Sequence, residues 1–321
     1  IDQLQGEFSM AYFEPEKSTL SLLRDSIGAK PLYWAKLDQK IAFGSSALGV
    51  QQLLWPSVSF DEEKIADFLV YSISESGCCF QHVQALPPGH LLEFDAKTGE
   101  IRIHPFAPSP QPKSSIVGQF ESACHSRVLP EKTGIAYSGG VDSSLIKHFT
   151  DPYLDNYCFK LVSGSPKSLQ GVREVEAKWA TLSSHLESIV KYTERPLAAS
   201  LSSIGMAELF AHMKNAGKEV VLSGEGADEL FYGYPTYFSD APGHPGLLMR
   251  KNQIELAASL LDFEMPVGDS LCDQLVLSSN TDDWVRFDRK IRLPEHLLRV
   301  NNDVPSLLSG IESRIPFADI V

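Results

Sequence analysis

No stretch of this sequence approaches the roughly 18 consecutive apolar residues that a membrane-spanning helix needs, so no membrane partner is expected. Cysteine is scarce: Cys78, Cys79, Cys124, Cys158 and Cys272 are odd in number and scattered in spacing. Neither a disulfide framework nor a zinc site follows from them, and reduced thiols in a cytoplasmic setting are the expectation. The nine histidines are dispersed and form no HExxH, which leaves a zinc hydrolase without support. Basic charge is in deficit, with 28 Lys and Arg against 41 Asp and Glu and a formal net charge of -13. Such a chain repels phosphate backbones, so nucleic acid is not expected as a partner. A single nucleotide remains admissible, because Mg²⁺ and backbone amides can offset phosphate charge locally.

What is present is ordinary globular material: 321 residues, 43% hydrophobic and 21% charged, a length that suggests two domains. In the first third, 7–13 alternates Phe8, Met10 and Tyr12 on one face and pairs through EPEK with 19–24. Further hairpins are predicted at 32–35 with 41–44 and at 90–95 with 100–104. Asp61 can cap one helix with an acidic first turn, carrying Ile65, Phe68 and Leu69 on one face. This third reads as antiparallel β with one helix. The stretch 105–115, PFAPSPQPKSS, has four prolines and the composition of a linker. Beyond it, strand-like runs are predicted at 133–137, 157–162, 187–190 and 218–222. Helical stripes are expected on Val172, Val175, Trp179 and Leu182, and on Met206, Leu209, Phe210 and Met213. Alternating β and α predicts an α/β domain with a parallel sheet covered on both faces, with ligands at the carboxyl ends of its strands.

Two loops at such strand ends carry the chemistry. The first is Ser138-Gly139-Gly140-Val141-Asp142-Ser143-Ser144. Its glycines let the backbone turn sharply and bring N–H groups close to an anion, its serines add hydroxyl donors, and the following helix would present its positive end. A pyrophosphate fits that surface, and Asp142 beside phosphate suggests a bridging Mg²⁺. No Gly-Lys-Ser/Thr follows, so this is not a Walker loop. A tight turn capping a helix would account for the same residues structurally. The second loop, Ser223-Gly224-Glu225-Gly226-Ala227-Asp228-Glu229, puts three carboxylates within five residues, and Leu230-Phe231-Tyr232-Gly233-Tyr234 follows. Acids at a buried strand end are costly unless a cation or a substrate amine meets them. A solvated acidic turn is the plainer account, and a dinucleotide fingerprint fails because Glu229 occupies the third glycine position.

SGGVDSS resembles the pyrophosphate loop of the N-type ATP pyrophosphatases. Both loops together, SGGVDSS and SGEGADELF-x-GY, resemble the glutamine-hydrolysing asparagine synthetase family. Arg24-Asp25 with Gly28 and Lys30-Pro31-Leu32-Tyr33, Leu86-Pro87-Pro88-Gly89-His90, and the run Glu312-Ser313-Arg314-Ile315-Pro316-Phe317-Ala318-Asp319 extend the likeness along the chain. The resemblance implies a parallel-sheet PP-loop (adenine nucleotide alpha hydrolase-like) synthetase domain at 116–321. Before it would lie the antiparallel β remnant of an Ntn-type, class II glutamine amidotransferase domain at 1–104, joined by the linker 105–115. It implies that ATP adenylates L-aspartate and that ammonia from L-glutamine displaces AMP; a homodimer is an assembly such a protein could form. By position, Ser138, Gly139, Gly140, Ser143 and Ser144 would hold pyrophosphate, Asp142 and Asp228 would hold Mg²⁺, and Leu161 would lie against the nucleotide. Ser223 and Gly224 would contact AMP, and Glu225 would guide or deprotonate the incoming ammonium.

The sequence departs from the family pattern in several places. It runs from Ile1 to Val321, and the expectation is a fragment without the family's N-terminal cysteine nucleophile and without a later lysine that meets the phosphates. Ser45-Ser46 stands where relatives often have Ser-Glu. The stretch 198–205 lacks an Asp-Pro-Ser seen in many bacterial relatives, and Tyr232 replaces a small residue. β-Lactam synthetases, lasso-peptide cyclases and a non-catalytic derivative are the alternatives. Glu225 favours asparagine synthesis over the first, which carries tyrosine there, and intact Asp142 and Asp228 speak against the last.

Overall fold

The computed structural model describes residues 4, 6–106, 115–150, 154–161, 171–177, 179–195, 201–238, 245–260, 272, 274–275, 278 and 280–320. The first part is built from antiparallel strands whose alternating side chains leave one face apolar. Strands β1 (Ser9–Glu14) and β2 (Thr19–Arg24) form the first hairpin, and β3 (Tyr33–Leu37) and β4 (Lys40–Gly44) the second. The short β5 (Gln84–Ala85) joins β3. Strands β6 (His90–Asp95) and β7 (Ile101–Pro105) complete a sheet of order β1-β2-β6-β7. Leu20 and Leu22 of β2 pack on Leu92 and Phe94 of β6. Two helices lie here, where one was expected. The helix α2 (Glu62–Tyr71) starts at Asp61, whose side chain accepts from the Lys64 N–H. The unexpected α1 (Ala47–Leu54) starts at Ser46, whose Oγ accepts from the Gly49 N–H. The carboxylate of Glu194 also accepts from the N–H groups of Ala47 and Leu48 and from Ser46 Oγ. An acid from the distant part of the chain thus complements the positive end of this helix.

The linker residues 107–114 lie outside the described residues. After them come α3 (Ile116–Ser126) and a five-stranded parallel sheet of β8 (Thr133–Ala136), β9 (Asp155–Leu161), β10 (Arg173–Ala177), β11 (Val220–Leu222) and β12 (Glu312–Arg314). Their order is β10-β9-β8-β11-β12. The order reverses between β8 and β11, which is where open α/β sheets leave a crevice. Both faces are covered, as expected. On one, Ile135 and Leu222 pack against Ile146 of α4 (Val141–Phe149) and Phe120 of α3. On the other, Tyr157, Val175 and Val221 meet Leu209, Phe210 and Met213 of α6 (Leu201–Asn215).

Two assignments are corrected here. The helical stripe drawn through Val172, Val175, Trp179 and Leu182 breaks: Val175 lies in β10, while Trp179 and Leu182 fall in α5 (Trp179–Thr193), their side chains outside those described. Conversely, 187–190, expected as a strand from its β-branched pair, is the last part of α5. Ile189 is fully buried there against Ala207 and Val304 while Val190 is exposed, so one-sided packing on a helix overrides local β propensity.

Helix Thr281–Phe287 runs into a π-helix, Asp288–Asp303, which is followed by helix Val304–Ser309. The π-helix joins the two parts of the molecule. Glu295 on it accepts from Arg24 Nη1 at 2.6 Å and from Arg195 Nη2 at 3.0 Å, all three side chains being buried. The remaining donors of Arg24 go to the carbonyls of Gly28, Lys30 and Leu86, and Arg195 also reaches Tyr33 Oη and the Gly77 carbonyl. Burial opposes the charged form of Glu295, but the guanidiniums of Arg24 and Arg195 outweigh it and hold the carboxyl below its usual range. Glu295→Ala would leave two guanidiniums buried without their counter-charge. It is expected to lower stability by about 3–5 kcal/mol, read as an earlier urea midpoint; an unchanged midpoint would show that the pairs do not hold the two parts together.

Candidate active site

The first loop leaves β8 at Ala136 and enters α4 at Val141. Gly139 has φ +80°, a left-handed backbone that side chains resist. Gly140 caps α4 without any side-chain hydrogen bond, so the first-turn N–H groups are left for an external acceptor. The loop is braced from within by Ser143. Its Oγ donates to the Gly140 carbonyl at 3.2 Å and accepts from the Ser138 N–H at 3.3 Å, while Ser138 Oγ accepts from the Gly140 N–H at 3.2 Å. Ser144 Oγ donates to Tyr137 Oη at 3.4 Å.

The second loop leaves β11 at Leu222. Ser223 is anchored by its N–H to the Arg314 carbonyl at 3.0 Å, which ties this loop to β12. Gly226 then turns the chain at φ +91° into α7 (Ala227–Phe231). The two loops touch. A Cβ on Gly224 would lie 3.2 Å from Cβ of Asp142 and 3.4 Å from the Ser143 nitrogen, so a side chain there would require the facing loop to yield by a few tenths of an ångström.

Between them lies a cavity of about 460 Å³. Its lining combines apolar residues, Tyr157, Cys158, Met206, Leu209 and Leu297, with polar ones, Ser138, Asp142, Ser143, Ser223–Glu229, Tyr234 and Asn301. Of the residues expected from the sequence, Ser138, Asp142, Ser143, Ser223, Gly224, Glu225 and Asp228 therefore meet around one space. Gly139, Gly140 and Ser144 shape the same loop without lining the cavity. Leu161 is the last residue of β9, and its side chain lies outside those described. Of the stretch 198–205, residues 198–200 lie outside the described residues and 201–205 open α6.

The polar part of the lining is strongly acidic. Burial, and next the negative charge of Asp228, push the Asp142 carboxyl up. The Glu225 carboxyl is pushed up to about 7 by burial and by neighbouring Glu229, against the opposing pull of Asn301, whose Nδ2 donates to Oε1 at 3.5 Å, and of Arg292. Glu229 is buried and raised by that burial, and Tyr234 Oη donates to it. Arg292 lies over the Tyr234 ring, 5.2 Å from its centroid, and bonds Asp288 at 3.2 Å, while Tyr237 Oη donates to Asp288 at 2.6 Å. Glu225 thus has a proton affinity suited to accepting a proton near neutrality. Two acids on facing loops, Asp142 and Asp228, form a pair of hard oxygen donors that suits a divalent cation shared with phosphate oxygens. Among the described residues, no group of three or more His, Cys, Asp or Glu gathers as a closed metal site.

Sequence reasoning missed Asn301, which lines the cavity from the π-helix, Arg292 of the same helix, whose charge acts on Glu225 and Glu229 from behind the wall, Asp288, which holds Arg292, and Tyr137, Met206 and Leu209 on the cavity wall. Glu229 and Tyr234 lay inside the second motif without a role assigned to them.

Comparison with known proteins gives two family matches along this chain. The family model described as Asparagine synthase matches residues 123–320, and one described as Glutamine amidotransferase domain matches residues 1–107. Asparagine synthetase (glutamine-hydrolyzing) of Zea mays is 28% identical over 278 residues, 75% of this chain and 42% of the relative. Asparagine synthetase (glutamine-hydrolyzing) 2 of Bacillus subtilis is 24% identical over 377 residues, covering 99% of this chain and 50% of its own length. The putative asparagine synthetase (glutamine-hydrolyzing) 1 of Methanocaldococcus jannaschii is 25% identical over 334 residues, 99% of this chain and 55% of that protein. The chain thus spans about half the length of the curated relatives it matches. Both cleft loops and the edge strand β12 fall inside the longer family match, and by that match the chain belongs to the asparagine synthase family.

Proposed function

We propose that this chain belongs to a glutamine-dependent asparagine synthetase. ATP would transfer its adenylyl group to the side-chain carboxylate of L-aspartate with release of pyrophosphate; ammonia would then attack the acyl carbon, forming the amide and releasing AMP. Residues 116–321 supply this chemistry, and residues 1–104, joined by the linker 105–115, contribute to the domain that frees ammonia from L-glutamine. We assign the protein to the cytoplasm.

The observation that carries this reading is the meeting of the two loops around one cavity, with Gly224 against Asp142 and Glu225 on the cavity wall within reach of Asn301. Ser138, Gly139, Gly140, Ser143 and Ser144 offer hydroxyls and open amide groups to a pyrophosphate. Asp142 and Asp228 would hold Mg²⁺, which neutralises phosphate oxygens. Ser223 and Gly224 would contact the adenylate, and Leu161 is assigned to the same nucleotide by its position at the end of β9. Glu225 takes the proton that ammonium must lose before its nitrogen can attack, and the residues around the phosphates spread developing charge during transfer.

ATP–pyrophosphate exchange on the full-length protein should depend on L-aspartate and disappear in Asp142→Ala. Exchange that ignores aspartate despite ATP binding would move the assignment to a peptide or a β-amino acid. Glu225→Gln should retain aspartate-dependent exchange yet slow amide formation by about 10²–10⁴-fold. Because Glu225 loses its proton as pH rises through about 7, the amide-forming step of the unsubstituted enzyme should fall away below that pH. A pH profile identical in Glu225→Gln would remove this residue from the base role.

A further inference from the structure

The cavity has an electrostatic gap. Four carboxylates line it, from Asp142, Glu225, Asp228 and Glu229, and among the described residues no Lys, Arg or His does. A triphosphate entering such a space needs positive charge beyond a metal ion. The cations around the parallel sheet are mostly committed: Arg127 to Asp319, Lys132 to Glu219, Arg173 and Lys218 to Asp155, Arg292 to Asp288 and Arg314 to Glu312.

Lys147 is the exception beside the first loop. Among the described residues it pairs with no carboxylate, and its ammonium rests on the face of Tyr137, 4.8 Å from the ring centroid. Its place on α4 is telling. It stands four residues after Ser143 and three after Ser144, on the same helical face. Helical side chains lean toward the N-terminus of their helix, so Nζ is directed back toward the loop. Tyr137 immediately precedes Ser138, lines the cavity, and has its hydroxyl bonded by Ser144. The ring is therefore a fixed platform between the cavity and the lysine.

We propose that Lys147 is a phosphate-binding residue of the nucleotide site, its ammonium moving from the Tyr137 ring to a phosphate oxygen of bound ATP. The move is favourable because a cation resting on the half-buried Tyr137 ring gains only a modest cation–π attraction, whereas an ammonium–phosphate hydrogen bond is charge-assisted. The aliphatic stem keeps its packing on Tyr137, and only the head group shifts. This inference rests on the nucleotide-binding reading of the cleft.

The test is equilibrium binding of MgATP and of adenosine to the full-length protein and its variants. Lys147→Met keeps the stem and removes the charge; it should weaken MgATP about tenfold or more and leave adenosine unchanged. Lys147→Arg should recover most of the MgATP affinity, and Tyr137→Leu should weaken MgATP by removing the platform. Wild-type affinity for MgATP in Lys147→Met overturns the proposal. Equal losses for adenosine and MgATP also overturn it, since they mark a structural role. An unsubstituted protein that binds adenosine and MgATP equally well removes phosphate recognition and the proposal with it, whereas one that binds neither overturns the nucleotide reading as well.

Discussion

Strands β8 and β11 lie side by side in parallel, Val220 opposite Thr133 and Leu222 opposite Ile135, although the chain between them passes through α4, β9, β10, α5 and α6. The candidate site depends on this pairing. Parallel strands discharge their loops at the same end of a sheet, and here the sheet order reverses between these two strands. The loops therefore start from adjacent strand ends, and the helices they lead into, α4 and α7, both pack into the cluster around Phe120 through Ile146 and Ala227. The crevice between them is a consequence of topology. The loops come closest at Gly224, where the lack of a side chain eases their approach.

That contact has an electrostatic cost, which explains the character of the site. Bringing Asp142 against the second loop places it near Asp228, and each additional carboxylate raises the free energy of the others. The structure relieves part of this. Tyr234 donates to Glu229, Arg292 stacks on Tyr234, and Asn301 donates to Glu225. Yet Arg292 is shared with Asp288, so its charge is largely spent away from the cavity. What remains is a concentrated negative potential that only an arriving cation or ammonium can discharge. In the proposed reaction such a cleft would favour a metal–nucleotide complex and a nitrogen nucleophile arriving in protonated form, and Glu225 is the base proposed for it.

The legible parts of this architecture were those set by local chemistry. Gly139, Gly140 and the flanking serines declare a tight turn and an open helix start within seven residues, and Asp61 declares a helix cap, so both could be read without any partner. The exchange between β10 and the end of α5 was illegible for a physical reason. Ile189-Val190 has β-branched chemistry, and Val175 fits a helical period, but which structure each adopts is decided by Ala207 and Val304 in one case and by Tyr157 and Leu209 in the other. The helix α1 was hidden because its start depends on Glu194, far along the chain. Asn301 had no local signature. It faces Glu225 because the π-helix carries it there.

That π-helix is where the two parts of the molecule become one mechanical unit. Much of it is buried, and its buried charged and polar groups meet partners: Asp288 with Arg292 and Tyr237, Glu295 with Arg24 and Arg195, Arg299 with Asp303 and the Tyr192 carbonyl, and the Asn302 amide oxygen with the Ser313 hydroxyl. Apolar packing through Leu293 and Leu298 fills the space but is weakly directional, since hydrophobic burial rewards area and not orientation. The ion pairs supply orientation. Leu297 and Asn301, two and six residues beyond Glu295, form part of the cavity wall. The position of that wall is therefore set by residues of the antiparallel part, Arg24 above all, as much as by the parallel sheet itself. A displacement of Arg24 that broke its bond to Glu295 would leave a buried charge uncompensated, and the helix would have to move to regain a partner. The cleft and the N-terminal part are in this sense not independent, and the coupling runs through a carboxylate that touches neither the cavity nor its contents.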